Sequence, residues 1–371
     1  MKLPSRSGGP SDMPGRPTAT LDSIQALRGL AAAYVVLYHS GLELTGHPAL
    51  DWLTANVIKR GHVGVDVFFV ISGFIIAWVA VLARPRPERP LPFMVRRVCR
   101  LAPPYWVMSA IHALLLNPVT PALFATSLAF LPSAVEHPPY YGYPALYVGW
   151  SLNYEMTFYV AFALGLWLAG RYALWVVLGI FAASTVLLPW WRFGAVDPDP
   201  ARTYPLDSPW LAMAANPLVL EFLLGCVLAW AYARWRGRLT RPVALVMLMA
   251  GTAWFLGSLV WVGPDFSLAG RGLPAGALLA GVVAAEHAGV LPVSRGLVWL
   301  GELSYALYLT HPTVIEGIKR LFPVLVPAQT GWQLARFAVD AVLALALALL
   351  LHRWVEQPAM AAGRRLARRG G

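Results

Sequence analysis

The chain has 371 residues, of which 58% are hydrophobic and 13% charged, with a mean hydropathy of +0.59. That balance is too apolar for a soluble globular fold and indicates an integral membrane protein. The formal net charge of +11 would suit a nucleic-acid binder if it lay on one surface, but the basic residues are segregated by segment, which excludes that reading.

Residues 1–20 combine Pro, Gly, Ser and Arg without an apolar core. They are expected to form a disordered cytoplasmic lead, not a signal peptide. Apolar runs then predict ten membrane-spanning helices, at 24–44, 63–83, 98–116, 145–169, 172–191, 210–233, 242–262, 271–289, 297–317 and 332–354. None alternates as a membrane barrel strand does, so the expected fold is all-α and polytopic. The segment 119–132, VTPALFATSLAFLP, is short and proline-broken and is expected to be re-entrant or interfacial. With the N-terminus inside, 20 of the 29 lysines and arginines fall in inner segments and seven in outer ones, while Arg28 and Arg336 lie within spans. Both termini are therefore placed in the cytoplasm. The expected organisation is one membrane domain over 21–358 and a basic cytoplasmic tail over 359–371. Cys99 and Cys226 both fall near or within the inner half, where no disulfide is expected.

The first span, LDSIQALRGLAAAYVVLYHS, holds Arg28 and His39 on nearly one helical face, about 16 Å apart along the axis. Ionisable groups at such depths are functional candidates; snorkelling of Arg28 and a packing role for His39 are the structural alternatives. Asp66 enters with the second span, GHVGVDVFFVISGFIIAW, in the same outer half as His39, and Gly73 lies where helices can approach closely. The inner segment that follows gathers six arginines, with Arg96, Arg97 and Arg100 just before Pro103 and Pro104. Guanidinium groups spaced i and i+3 match phosphate oxygens, although lipid headgroups are an equally simple target. Glu155, about ten residues into the fourth span, needs a partner, and His39 and Asp66 are the nearest candidates in depth. A carboxylate beside His39 would orient the imidazole as a base. Glu221, Glu302, Ser304, Tyr305, His311, Trp354 and Glu356 are weaker signals, with Glu221 and His311 as possible linings of one cavity. The loop 192–209 is expected to be a solvated connection that can touch a polar substrate. No P-loop, dinucleotide fingerprint, zinc helix or nucleophile elbow occurs, and no metal is expected.

Six motifs in order, LRGLAAAYVVLYHS at 27–40, GVDVFFVISGF at 64–74, RRVCRLAPPYW at 96–106, VGWSLNYEMTFY at 148–159, LSYALYLTHP at 303–312 and VEQP at 355–358, together resemble the acyltransferase-3 family of bacterial membrane acyltransferases. The likeness is strongest to members that O-acetylate exopolysaccharides. It implies about ten transmembrane helices in the bacterial inner membrane, a cytoplasmic acyl-CoA donor, with acetyl-CoA the implied one, and a carbohydrate hydroxyl acceptor reached from outside. Carried over residue by residue, Arg28, Arg97 and Arg100 would engage the CoA phosphates and His39 would be the catalytic base. Asp66 or Glu155 would stabilise the imidazolium formed. Direct transfer and an acyl-histidine intermediate both stay open. The alternative from another class is a proton-coupled transporter or flippase, which buried Arg, His, Asp and Glu also serve.

Overall fold

The computed structural model describes residues 21–263, 266–322 and 330–369. Residues 1–20, expected to be a disordered lead, lie outside them. Among the described residues every regular element is helical. The longer helices are α1 (Asp22–His39), α3 (Gly64–Ala77), α4 (Pro90–Leu115), α6 (Trp150–Ala169), α7 (Ala173–Ala182), α10 (Leu220–Trp235), α11 (Arg241–Trp261), α12 (Leu273–His287), α14 (Ser304–Leu321), α15 (Thr330–Leu351) and α16 (Gln357–Arg369). Shorter pieces are α2 (Pro48–Asn56), α5 (Pro121–Leu128), α8 (Leu188–Phe193), α9 (Pro209–Ala214) and α13 (Arg295–Glu302). Among the described residues, six helical runs are long and apolar enough to cross a membrane. The ten predicted stretches overlap helical segments but not one helix each: 210–233 is divided between α9 and α10, 297–317 between α13 and α14, and α1 ends at His39 within 24–44; α5, at eight residues or about 12 Å, is too short to span.

Local chemistry sets the element ends. Thr120 accepts from the Leu123 amide at 3.2 Å and Pro121 fills the first turn, so α5 starts there. Gly170, at φ +52°, stops α6, a conformation costly for any residue with a Cβ. The helix expected at 98–116 begins earlier: α4 starts at Pro90 and runs through Pro103 and Pro104 for 26 residues, so the helical turn expected for Arg96, Arg97 and Arg100 is part of one long helix. Beside the prolines, the Tyr305 hydroxyl donates to the Leu101 carbonyl at 2.7 Å, a tertiary bond that braces this part of the helix.

α3 packs on α10 and α12, α1 on α13 and α14, and α4 on α16. The α3–α10 crossing is close because a Cβ on Gly73 would overlap the Phe222 carbonyl and one on Gly225 the Val70 carbonyl. Phe222 can then stack on Phe69 at 4.5 Å. The Glu286 carboxylate on α12 accepts from the backbone amides of Asp22 and Ser23 at 2.9 and 3.0 Å, which fixes the entry of α1 and satisfies amides at its first turn. The segment expected as a tail is helical to Arg369, and Gly363 lies against Cys99. Both cysteines are free, and Cys226 faces the Gly73 carbonyl.

Candidate functional site

Two cavities meet inside the helices, and α1 contributes to both. The first is narrow, about 60 Å³, and is lined at one end by Arg28, Arg97, Arg100 and Glu155. It follows α3 from Ile76 to Val65, a rise of about 16 Å, which equals the separation of Arg28 and His39 on α1. The second is wide, about 690 Å³, and is bordered by His39. Val65 and Tyr308 line both cavities, so these two side chains form the partition between them. The Tyr308 hydroxyl lies 2.9 Å from the Val148 carbonyl and 2.8 Å from the Ser151 hydroxyl, which holds the ring in place.

The arginine end is a compact charged cluster. Arg28 donates to the Gln25 side chain at 3.3 Å, and α1 is pinned here because Gly301 of α13 abuts the Gln25 backbone. The Arg97 guanidinium lies over the rings of Phe93 and Tyr159, 5.4 and 5.6 Å from their centroids. Glu155 accepts hydrogen bonds from Ser72 at 3.2 Å and from the Tyr159 hydroxyl. Arg96, the first arginine of its run, instead pairs with Glu88 and does not line the cavity. Three guanidinium groups, with Glu155 in the lining and Glu356 in electrostatic reach of Arg28, leave a surplus of positive charge, which suits an anionic ligand with several oxygens.

At the other end the partners of His39 differ from those expected. Its Nδ1 lies 3.0 Å from the Val35 carbonyl and 3.3 Å from Nε2 of His311, a side chain with no exposed surface. Tyr38 and Tyr147 rings complete the surroundings, at 4.9 and 5.6 Å between centroids. Asp66 and Glu155 are not among its partners. Glu155 lies with the arginines, while Asp66 is fully buried and faces Glu221 of α10 within hydrogen-bonding reach. Two carboxyl groups placed together are compatible when a proton lies between them. Glu221 and His311, expected as possible neighbours, therefore belong to different clusters. In the sequence His311 was one of the weaker signals, and nothing local shows that α14 would bring it to α1.

The wide cavity is walled by aromatic groups from distant segments: Tyr140 and Tyr143, stacked at 5.1 Å, with Trp150 edge-on to Tyr140 at 5.0 Å and Phe266 beyond. Trp150, expected as an interfacial or packing aromatic, is buried and faces this space. The loop 192–209 closes one side through Ala201. It is tied down by Asn216, which donates to the Pro200 carbonyl at 2.9 Å and the Tyr141 hydroxyl at 3.1 Å. Lys59 also lines this cavity and pairs with Glu43 at 2.7 Å. Among the described residues, no group of three or more His, Cys, Asp and Glu is placed to hold a metal ion.

A family profile described as an acyltransferase domain, acyltransferase-3, matches residues 21–353. The exopolysaccharide production protein ExoZ of Rhizobium meliloti is 31% identical over 304 residues, covering 77% of this chain and 83% of that protein. The acyltransferase MdmB of Streptomyces mycarofaciens is 30% identical over 375 residues, 94% of this chain and 93% of its own. The peptidoglycan O-acetyltransferase OatA of Listeria monocytogenes is 25% identical over 374 residues, which cover 91% of this chain and 55% of OatA. No solved structure matches.

Proposed function

The chain belongs to the acyltransferase-3 family, and on that premise we propose that it moves an acetyl group from cytoplasmic acetyl-CoA to a hydroxyl of an exopolysaccharide or its lipid-linked precursor, across ten membrane spans with both termini inside. The observation that carries the reading is the pair of cavities meeting at Val65 and Tyr308, with arginines at the far end of one and His39 beside the other. A donor with a phosphate-bearing head and a long thin arm matches a charged end and a narrow lane. The lane has only about 60 Å³, so side chains along α3 and α14 move aside to admit the arm. An acceptor with apolar C–H faces and polar edges matches the aromatic cavity, whose volume of about 690 Å³ falls in the range of about 300–1,000 Å³ typical of ligand sites.

In this reading Arg28, Arg97 and Arg100 hold the phosphates and Glu155 fixes the guanidinium groups in register. His39 removes the proton of the acceptor hydroxyl as its oxygen attacks the thioester carbonyl. The carbon–sulfur bond then breaks, and the thiolate leaves with the proton returned from His39. Close placement of the reacting groups at the partition supplies much of the rate. Support for the acceptor class comes from relatives named for exopolysaccharide production and peptidoglycan O-acetylation. Asp66, turned towards Glu221, serves the α3–α10 interface in this reading and not the proton transfer. The test is acetyl-CoA turnover by the protein in nanodiscs, with mass spectrometry of a host exopolysaccharide. Acetylation by the wild type that is lost in a folded His39→Ala variant is the expected result, and an active variant overturns it.

A further inference from the structure

His39 and His311 use the same local device. Each ring places Nδ1 against the carbonyl four residues earlier on its own helix, His39 on Val35 at 3.0 Å and His311 on Leu307 at 3.2 Å. A carbonyl oxygen only accepts, so each Nδ1 carries a hydrogen in these contacts. The two rings then meet with His311 Nε2 at 3.3 Å from His39 Nδ1 and their centroids 5.0 Å apart. In the neutral state His311 Nε2 is left with its lone pair, pointed at the His39 Nδ1–H. The reverse arrangement would set the His39 Nδ1 lone pair against the Val35 oxygen and the His311 Nδ1 lone pair against the Leu307 oxygen. One neutral arrangement alone therefore satisfies all the contacts.

We propose that His311 is a positioning residue that locks His39 in its Nδ1–H tautomer, so that Nε2 is the atom that accepts the proton of the acceptor hydroxyl. The inference rests on His39 being the base. A carboxylate would ordinarily hold such a base; here a neutral imidazole does so, and Asp66 and Glu155 are engaged elsewhere. The proton taken up at Nε2 makes an imidazolium whose Nδ1–H still donates to His311 Nε2. That bond is stronger than in the neutral ring, so it favours the charged state formed during transfer. His311 can do this because α14 buries it completely, with the Tyr308 ring 5.8 Å away shielding the pair from the lane.

Two measurements test the lock. Substituting His311→Leu removes the acceptor, and His311→Gln restores one through its amide oxygen. The expected outcome is a kcat lower by about 10–150-fold in H311L, the range for a lost hydrogen bond to a charged group, with KM for acetyl-CoA and acceptor within about twofold of wild type. H311Q is expected to recover most of that loss. Equal losses in both variants, or a wild-type kcat in H311L, overturn the proposal. Independently of turnover and of any unstable variant, ¹⁵N-histidine spectra of the wild-type protein report the tautomer, with His39 assigned by its absence in His39→Gln. A protonated Nδ1 and bare Nε2 support the lock; the opposite pattern refutes it, even if His39 proves to be the base. Absence of acetyl transfer by the wild type, in contrast, removes the functional reading and leaves the tautomer result standing.

Discussion

Replacing Arg97 with alanine separates donor binding from chemistry. Its guanidinium is held over Phe93 and Tyr159 on a helix that also carries Arg100, one turn away and lining the same cavity. A hydrogen bond from a guanidinium to a phosphate contributes about 1.5–3 kcal/mol, so its loss is expected to raise KM for acetyl-CoA by about 10–150-fold. Glu155 still faces Arg28 and Arg100 in the variant, so no carboxylate is left alone. The lost ring contacts, about 0.5–1 kcal/mol each, weaken folding and not donor affinity. Arg97→Lys keeps the charge without the planar fork and should fall between the two. The assay is steady-state acetyl transfer in nanodiscs with two donors, acetyl-CoA and acetyl-pantetheine, the second lacking phosphates. Wild type and Arg97→Ala should use acetyl-pantetheine equally and differ only with acetyl-CoA. A variant impaired equally with both donors, through kcat and not KM, would refute the assignment of Arg97 to the phosphates.

Two more outcomes follow from the packing and the aromatic cavity. Gly73→Val forces α3 away from the Phe222 backbone and is expected to cost about 3 kcal/mol, the upper part of the range for overpacking, read as a lower thermal midpoint; Gly179→Val on α7, where an added Cβ meets nothing within 4 Å, serves as the control. Tyr143→Ala strips one face of the stacked pair on the cavity wall and should raise KM for the polysaccharide acceptor several-fold without changing KM for acetyl-CoA; an unchanged acceptor KM would remove the aromatic wall from acceptor binding.

The membrane class, the helical fold and the pairing of Arg28 with His39 on α1 are properties of single segments, and single segments are what a sequence displays. Twenty apolar residues have to become a helix in lipid because nothing else satisfies their backbone, and 3.6 residues per turn decides which side chains share a face. The arginine pair at 97 and 100 was legible for the same reason, as neighbours on one helix. The partners of His39 were not. Depth in the bilayer restricts which residues occupy the same layer, and it placed Asp66 and Glu155 in a layer with His39, but it says nothing about rotation or about which helices touch. Those depend on close approaches between segments far apart in the chain, Gly73 on Phe222 and Gly301 on Gln25. The first draws α10 against α3, which delivers Glu221 to Asp66; the second sets α13 against α1, and α14, following α13 in the chain, brings His311 to His39. Helix association in a membrane is governed by such small-residue contacts and not by hydrophobicity. The chemistry of the candidate base was therefore decided by the tertiary structure, while its position along the first helix was already present in the sequence.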